Sequence, residues 1–135
     1  MTLTGKILVV DDEAHIRKFV IQLVKTLGDP TILQAANGEE ALKLYERERP
    51  VLVLLDVNMP RIDGIETLRR LKLLDPGCRV IMLTSLVNRQ TVEACLHLGA
   101  IAYLRKDNPP DDMTARLRKI VDDNLGAKPE RAEAP

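Results

Sequence analysis

Five short apolar runs punctuate the chain, and between them apolar residues return at every third or fourth position. The runs are Lys6–Val10 (KILVV), Thr31–Ala35 (TILQA), and residues 51–55 (VLVLL), 79–83 (RVIML) and 101–104 (IAYL). Those at Ile7, Val51 and Val80 are apolar without alternation, which predicts central strands covered on both faces. The intervening segments read as helices. Ile16, Val20, Leu23, Val24 and Leu27 form one stripe, which Gly28 is expected to terminate. Asn37 is placed to cap a second helix carrying Ala41, Leu42 and Tyr45, closed off by Pro50. A third carries Ile65, Leu68 and Leu71 after Gly64 and ends at Asp75-Pro76-Gly77. The fourth carries Val92, Cys95 and Leu96 up to Gly99, and the fifth carries Met113, Leu117, Ile120 and Val121. Strand followed by helix, repeated in this way, predicts βαβ units on a parallel sheet with right-handed crossovers.

A length of 135 residues suits one domain with a two-sided core. Aromatic residues are only 2% and Trp is absent, so that core must be aliphatic. The expected domain is residues 1–125, and the polar Pro/Ala-rich stretch 126–135 (GAKPERAEAP) is expected to be a disordered tail. No apolar run approaches the roughly 20 residues that span a bilayer, and the N-terminus lacks a secretory apolar region, so a cytoplasmic location and no membrane contact are expected. With 20 basic and 20 acidic residues there is no cationic excess to favour direct nucleic-acid binding. Cys78 and Cys95 have no CxxC partner and read as reduced, partly buried thiols. His15 and His97 stand without a second ligand at metal spacing; His15 reads as a surface residue and His97 as partly buried.

In an open parallel sheet, ligands bind beyond the carboxyl ends of the strands. After the first strand come Asp11 and Asp12, after the third Asp56 and then Asn58, after the fourth Thr84 and Ser85, and near the end of the fifth Lys106. Taken singly, Asp11–Asp12 would also fit a solvated helix N-terminus, Thr84 a helix cap and Tyr103 a half-buried strand aromatic. Taken together they make a site. Crowded carboxylates repel unless a divalent cation joins them, and an all-oxygen set suits Mg²⁺. A carboxylate is also a nucleophile towards phosphorus, while a lysine and a hydroxyl neutralise phosphoryl oxygens.

The acidic pair Asp11–Asp12, the run Asp56-Val57-Asn58-Met59-Pro60 with Gly64 downstream, Thr84-Ser85, and Tyr103 shortly before Lys106 resemble the response-regulator receiver domain of two-component signalling, in its stand-alone, chemotaxis-type form. The resemblance runs from about residue 6 to residue 125. It implies an α/β, flavodoxin-like, doubly wound (βα)5 three-layer sandwich whose parallel five-stranded sheet has the order 2-1-3-4-5. It also implies roles. Asp56 would accept a phosphoryl group from a sensor histidine kinase or histidine phosphotransfer protein. Mg²⁺ (or Mn²⁺) would be held by Asp11, Asp12, Asp56 and the backbone carbonyl of Asn58, with Asp12 direct and Asp11 largely through water. Lys106 would pair with Asp56 and later with a phosphoryl oxygen, and Thr84 and Tyr103 would form the switch. A downstream protein would be met through the fourth helix, fifth strand and fifth helix, at about residues 88–98, 101–105 and 109–123. Such a chain catalyses its own phosphorylation and dephosphorylation and is not otherwise an enzyme.

The sequence departs from that pattern after the lysine, where the family's usual cis-proline is replaced by Asp107. A cis bond before a non-proline residue costs about 2.5–4 kcal/mol, so a trans Lys106–Asp107 bond is expected. Asp107 also adds a negative charge beside Lys106, which is expected to weaken or redirect the lysine's contact with the phosphoryl group, with phosphorylation persisting at a reduced or altered rate. Other readings are a receiver fragment of a longer transcriptional regulator, a non-phosphorylated pseudo-receiver scaffold, and a haloacid-dehalogenase-type phosphatase. The last requires an Asp-x-Asp motif where this chain has Asp11-Asp12-Glu13.

Overall fold

The computed structural model describes residues 3–85 and 88–126. Of the expected tail at residues 126–135, Gly126 ends the last helical turn and residues 127–135 lie outside the described residues. The elements alternate as read: β1 (Lys6–Val10), α1 (Ala14–Lys25), β2 (Thr31–Ala35), α2 (Gly38–Glu48), β3 (Leu52–Asp56), α3 (Gly64–Leu74), β4 (Val80–Thr84), α4 (Arg89–His97), β5 (Ala102–Arg105) and α5 (Pro110–Val121), which runs into a π-helical turn at Asp122–Gly126. All strands are parallel, and their order in the sheet is β2-β1-β3-β4-β5.

The unbroken apolar runs have a physical reason. Along the central strands, side chains go alternately to two cores. Leu8, Val10, Val53, Leu55, Val80 and Met82 pack with Ala41 and Tyr45 of α2, Leu68 and Leu71 of α3 and Cys95 of α4. Ile7, Val9, Leu52, Leu54, Ile81 and Leu83 pack with Val20, Leu23 and Val24 of α1 and Met113, Leu117 and Val121 of α5.

Three details differ from the sequence reading. β3, β4 and β5 begin and end one residue later than their apolar runs, because Asp56 and Thr84 remain in the ladder, paired with Leu83 and Arg105. Backbone pairing is indifferent to the side chain turning polar at the strand end. Gly28 does not terminate α1, which caps at Thr26; it lies in a bridge to Leu3, where a Cβ would collide with the Leu3 backbone. His97 is exposed rather than partly buried.

The punctuation elsewhere is as read. The Asn37 side chain caps α2 by accepting from Glu40 N–H at 2.9 Å, and Glu40 accepts from Ala36 N–H at 2.7 Å. Gly99, with φ of 106°, follows the end of α4. Cys78 and Cys95 are buried and free. Among the described residues no helix is long and apolar enough to cross a membrane.

Candidate functional site

Backbone bonds between neighbouring strands align the exits from the sheet. Asp11 N–H donates to Ala35 O at 3.1 Å, Val57 N–H to Leu83 O at 3.0 Å, and Lys106 N–H to Thr84 O at 2.8 Å. Asp11, Asp56 and Thr84 are thereby brought to one edge, and all three are buried. Buried charge is costly unless it is paired. Here the Lys106 ammonium pairs with both carboxylates, 2.8 Å from Asp11 Oδ2 and 2.9 Å from Asp56 Oδ1. Asp11 Oδ1 also accepts from Glu13 N–H at 2.9 Å.

The charges feel one another. Burial pushes the Asp56 carboxyl above its usual range; Lys106 opposes this and the Asp11 charge adds to it. Burial works against the Lys106 ammonium, yet hydrogen bonds to Asp11 and Asp56 outweigh it and hold the amine above its usual range.

Asp12 is exposed, and its carboxylate completes a cluster in which oxygens of Asp11, Asp12 and Asp56 lie within 4.8 Å of one another. Three hard oxygen donors, one reached from solvent, fit a hard divalent cation such as Mg²⁺. The loop after Asp56 is anchored on both sides. Val57 and Met59 are buried in the core beneath it, Ile62 packs into the notch left by Gly38, and Gly64 N–H donates to Val57 O at 2.8 Å. A Cβ at Gly64 would overlap the Asp56 carbonyl oxygen, which is why the chain needs glycine there. Asn58, held in this loop, directs its N–H at Asp56 Oδ1 from 3.4 Å. Tyr103 is half-buried against the α2–α4 core, and its hydroxyl is pushed up by burial and by the nearby Cys95; a hydrogen bond with Thr84 opposes the shift.

The structure brings Asp11, Asp12, Asp56 and Lys106 together, with Thr84 at the adjoining strand end; Asn58 meets the cluster through its N–H, and Tyr103 joins it through its hydrogen bond with Thr84. Two features were missed. Lys106 pairs with Asp11 as well as Asp56, and Arg17 donates to the Asp11 carbonyl at 2.7 Å and to Gln34 Oε1 at 3.1 Å, tying α1 to the ends of β1 and β2. Nothing in the sequence marks Arg17 apart from its place one turn after the acidic pair. The trans Lys106–Asp107 bond is as expected, since the described residues contain no cis peptide. The Asp107 carboxylate is gripped by Arg105, which holds it below the usual carboxylate range, while Lys106 pairs with Asp11 and Asp56.

Residues 7–118 match the family described as the response regulator receiver domain. The chain belongs to the receiver-domain family. Receiver domains accept phosphoryl groups in two-component signalling, and that is the function of this chain. It is 39% identical over 116 residues to sporulation initiation phosphotransferase F of Bacillus subtilis, covering 86% of this chain and 93% of that protein. It is 36% identical to the nitrate/nitrite response regulator protein NarL of Escherichia coli, of which it spans 54%. In structure it resembles a chain of the CheX-CheY-BeF3-Mg+2 complex from Borrelia burgdorferi, with a TM-score of 0.80 and 32% identity over 86% of this chain and 88% of that one. Receivers bind Mg²⁺ at a cluster of acidic residues, and Asp11, Asp12 and Asp56 form such a cluster.

Proposed function

We propose that Asp56 is the phosphoacceptor and that Asp11, Asp12, Thr84, Lys106 and the Asn58 carbonyl form its supporting site. The observation that carries this reading is the Lys106 ammonium 2.9 Å from Asp56 Oδ1 inside a buried, multiply acidic strand end. An Asp56 oxygen attacks the phosphorus of a phosphohistidine on a sensor kinase or phosphotransfer protein, and the P–N bond breaks with its electron pair leaving on the imidazole. Lys106, 2.9 Å from Asp56 Oδ1, would neutralise a phosphoryl oxygen there, and Thr84 lies at the adjoining strand end. A divalent cation, Mg²⁺ or Mn²⁺, held by Asp11, Asp12, Asp56 and the Asn58 carbonyl would supply charge neutralisation at the phosphoryl oxygens.

The phosphoryl group then draws on Thr84, and Thr84 is hydrogen-bonded to Tyr103 on β5. That contact links the site to the face built from α4, β5 and α5, through which a downstream protein is bound. The chain transfers the phosphoryl group to itself and releases it to water, without turning over a separate substrate.

The test is incubation with acetyl phosphate and Mg²⁺ followed by intact mass measurement. Wild type gains one base-labile phosphoryl group, and Asp56→Asn gains none. A wild type without the adduct, or an Asp56→Asn protein that gains it equally, refutes the reading.

A further inference from the structure

The turn that delivers Lys106 is closed more firmly by side chains than by its backbone. Arg105 ends β5, and Asn108 N–H reaches back to Arg105 O at 3.4 Å, a long and therefore weak closure. Across the same turn the Arg105 guanidinium grips the Asp107 carboxylate twice, Nε to Oδ1 at 3.0 Å and Nη2 to Oδ2 at 2.6 Å. Two parallel contacts of this kind give an ion pair directionality that a single contact lacks. Lys106 lies between the two and has the opposite environment. Its side chain is 13% exposed and faces the buried acids, whereas those of Arg105 and Asp107 are 41% and 46% exposed.

We propose that Arg105 and Asp107 form a clamp of positioning residues that fixes the β5–α5 turn so that Lys106 meets Asp56 and Asp11. The inference rests on the reading of Asp56 and Lys106 given above. The clamp does two things. Tying residue 105 to residue 107 restricts the backbone dihedrals of Lys106, doing by an ion pair what a proline ring does by covalent constraint at this turn. It also occupies the one carboxylate next to Lys106 in sequence. A loose Asp107 would be a competing acceptor for the ammonium, and the guanidinium removes that competitor. Among the described residues the two anions that hold Lys106 are then Asp11 and Asp56, which are the ones phosphoryl transfer requires it to serve.

The test is the initial rate of phosphoryl uptake from acetyl phosphate at saturating Mg²⁺, at low and high salt, with thermal unfolding as a control. The variants are Arg105→Ala, Asp107→Ala, the exchanged pair Arg105→Asp with Asp107→Arg, and Lys106→Ala as reference. Arg105→Ala, which frees Asp107, is expected to slow uptake by about fivefold, the upper range for an exposed ion pair converted at tenfold per 1.36 kcal/mol. Asp107→Ala, which loses the tether but leaves no competing carboxylate, is expected to slow it by about twofold to threefold. The exchanged pair is expected to return to within about twofold of wild type, since only a coupled pair is repaired by reversal. High salt should slow wild type and leave the single variants little changed. Single variants at the wild-type rate, with Lys106→Ala inactive, overturn the clamp and leave the site reading intact; so does an exchanged pair no better than the singles. A Lys106→Ala protein as fast as wild type overturns the role of Lys106, and the clamp with it.

Discussion

Replacing Lys106 by alanine removes the one ammonium shared by two carboxylates whose side chains are 1% and 3% exposed. Deleting one partner of a buried pair costs about 3–5 kcal/mol, because the other charge remains buried and unpaired. Here two acids are left facing each other, although Asp56 can relieve the strain by taking up a proton. A loss of about 3 kcal/mol at pH 7 follows, which for a domain of this size lowers Tm by about 10 °C. The pH dependence has a definite sign. Burial already holds the Asp56 carboxyl above its usual range, and removing Lys106 raises it further. A carboxyl raised in the folded state stabilises the fold once protonated and loses that contribution as the pH rises through its folded pKa. The deficit of Lys106→Ala is therefore widest at neutral pH and narrows in mild acid. Urea unfolding without divalent cations at neutral and mildly acidic pH measures it, and Lys106→Met separates the lost charge from the lost aliphatic stem. A deficit under about 1 kcal/mol, the value of a mere surface pair, or one that does not change with pH, refutes the claim that this ammonium holds the buried acids.

Gly64→Ala should cost about 1–3 kcal/mol and slow phosphoryl uptake, since the added carbon overlaps the Asp56 carbonyl oxygen and comes within 2.7 Å of Val57 Cα; unfolding and uptake rates check it together. Tyr45→Phe removes a 2.7 Å hydrogen bond from the buried Tyr45 hydroxyl to Asp75 Oδ2 and should cost about 1 kcal/mol at neutral pH. That bond holds the Asp75 carboxyl below its usual range, so its contribution is present above the usual carboxylate pKa and is lost as the pH falls through the folded value. The deficit of Tyr45→Phe should therefore shrink in strong acid, as urea midpoints across a pH series will show. Added Mg²⁺ should raise the Tm of wild type by mass action and shift Asp12→Ala much less, because that variant loses the exposed member of the acidic cluster. Equal shifts in the two proteins would place the cation elsewhere.

The sheet and its helices were legible because each central strand is covered on both faces, which leaves an unbroken apolar run that alternating strands lack. The ends of β3 and β4 were less legible for a related reason. A pattern of apolar residues stops at Leu55 and Leu83, whereas the ladder continues through Asp56 and Thr84. The acidic edge itself could be read from residue types at strand ends, since parallel topology delivers all those ends to one side. What could not be read was pairing between side chains. The second partner of Lys106 is Asp11, distant in sequence, and the hold of Arg17 on the Asp11 carbonyl depends on how α1 leaves β1. Asp107 looked like a threat to Lys106 because adjacency in sequence was visible, whereas the grip of Arg105 on Asp107 depends on the turn after β5. Gly28 fits both a helix terminator and a close backbone approach, and only the bridge to Leu3 distinguishes them.

The central claim is that Asp56, and no other carboxylate of the cluster, carries the phosphoryl group. Acyl phosphates are reduced by borohydride to the corresponding alcohol, so an aspartyl-phosphate is converted to homoserine at its own position. After phosphorylation with acetyl phosphate and Mg²⁺, borohydride reduction and peptide mass mapping should find homoserine at residue 56 alone. Homoserine at position 11 or 12, or none in a protein that has gained phosphate, would contradict it.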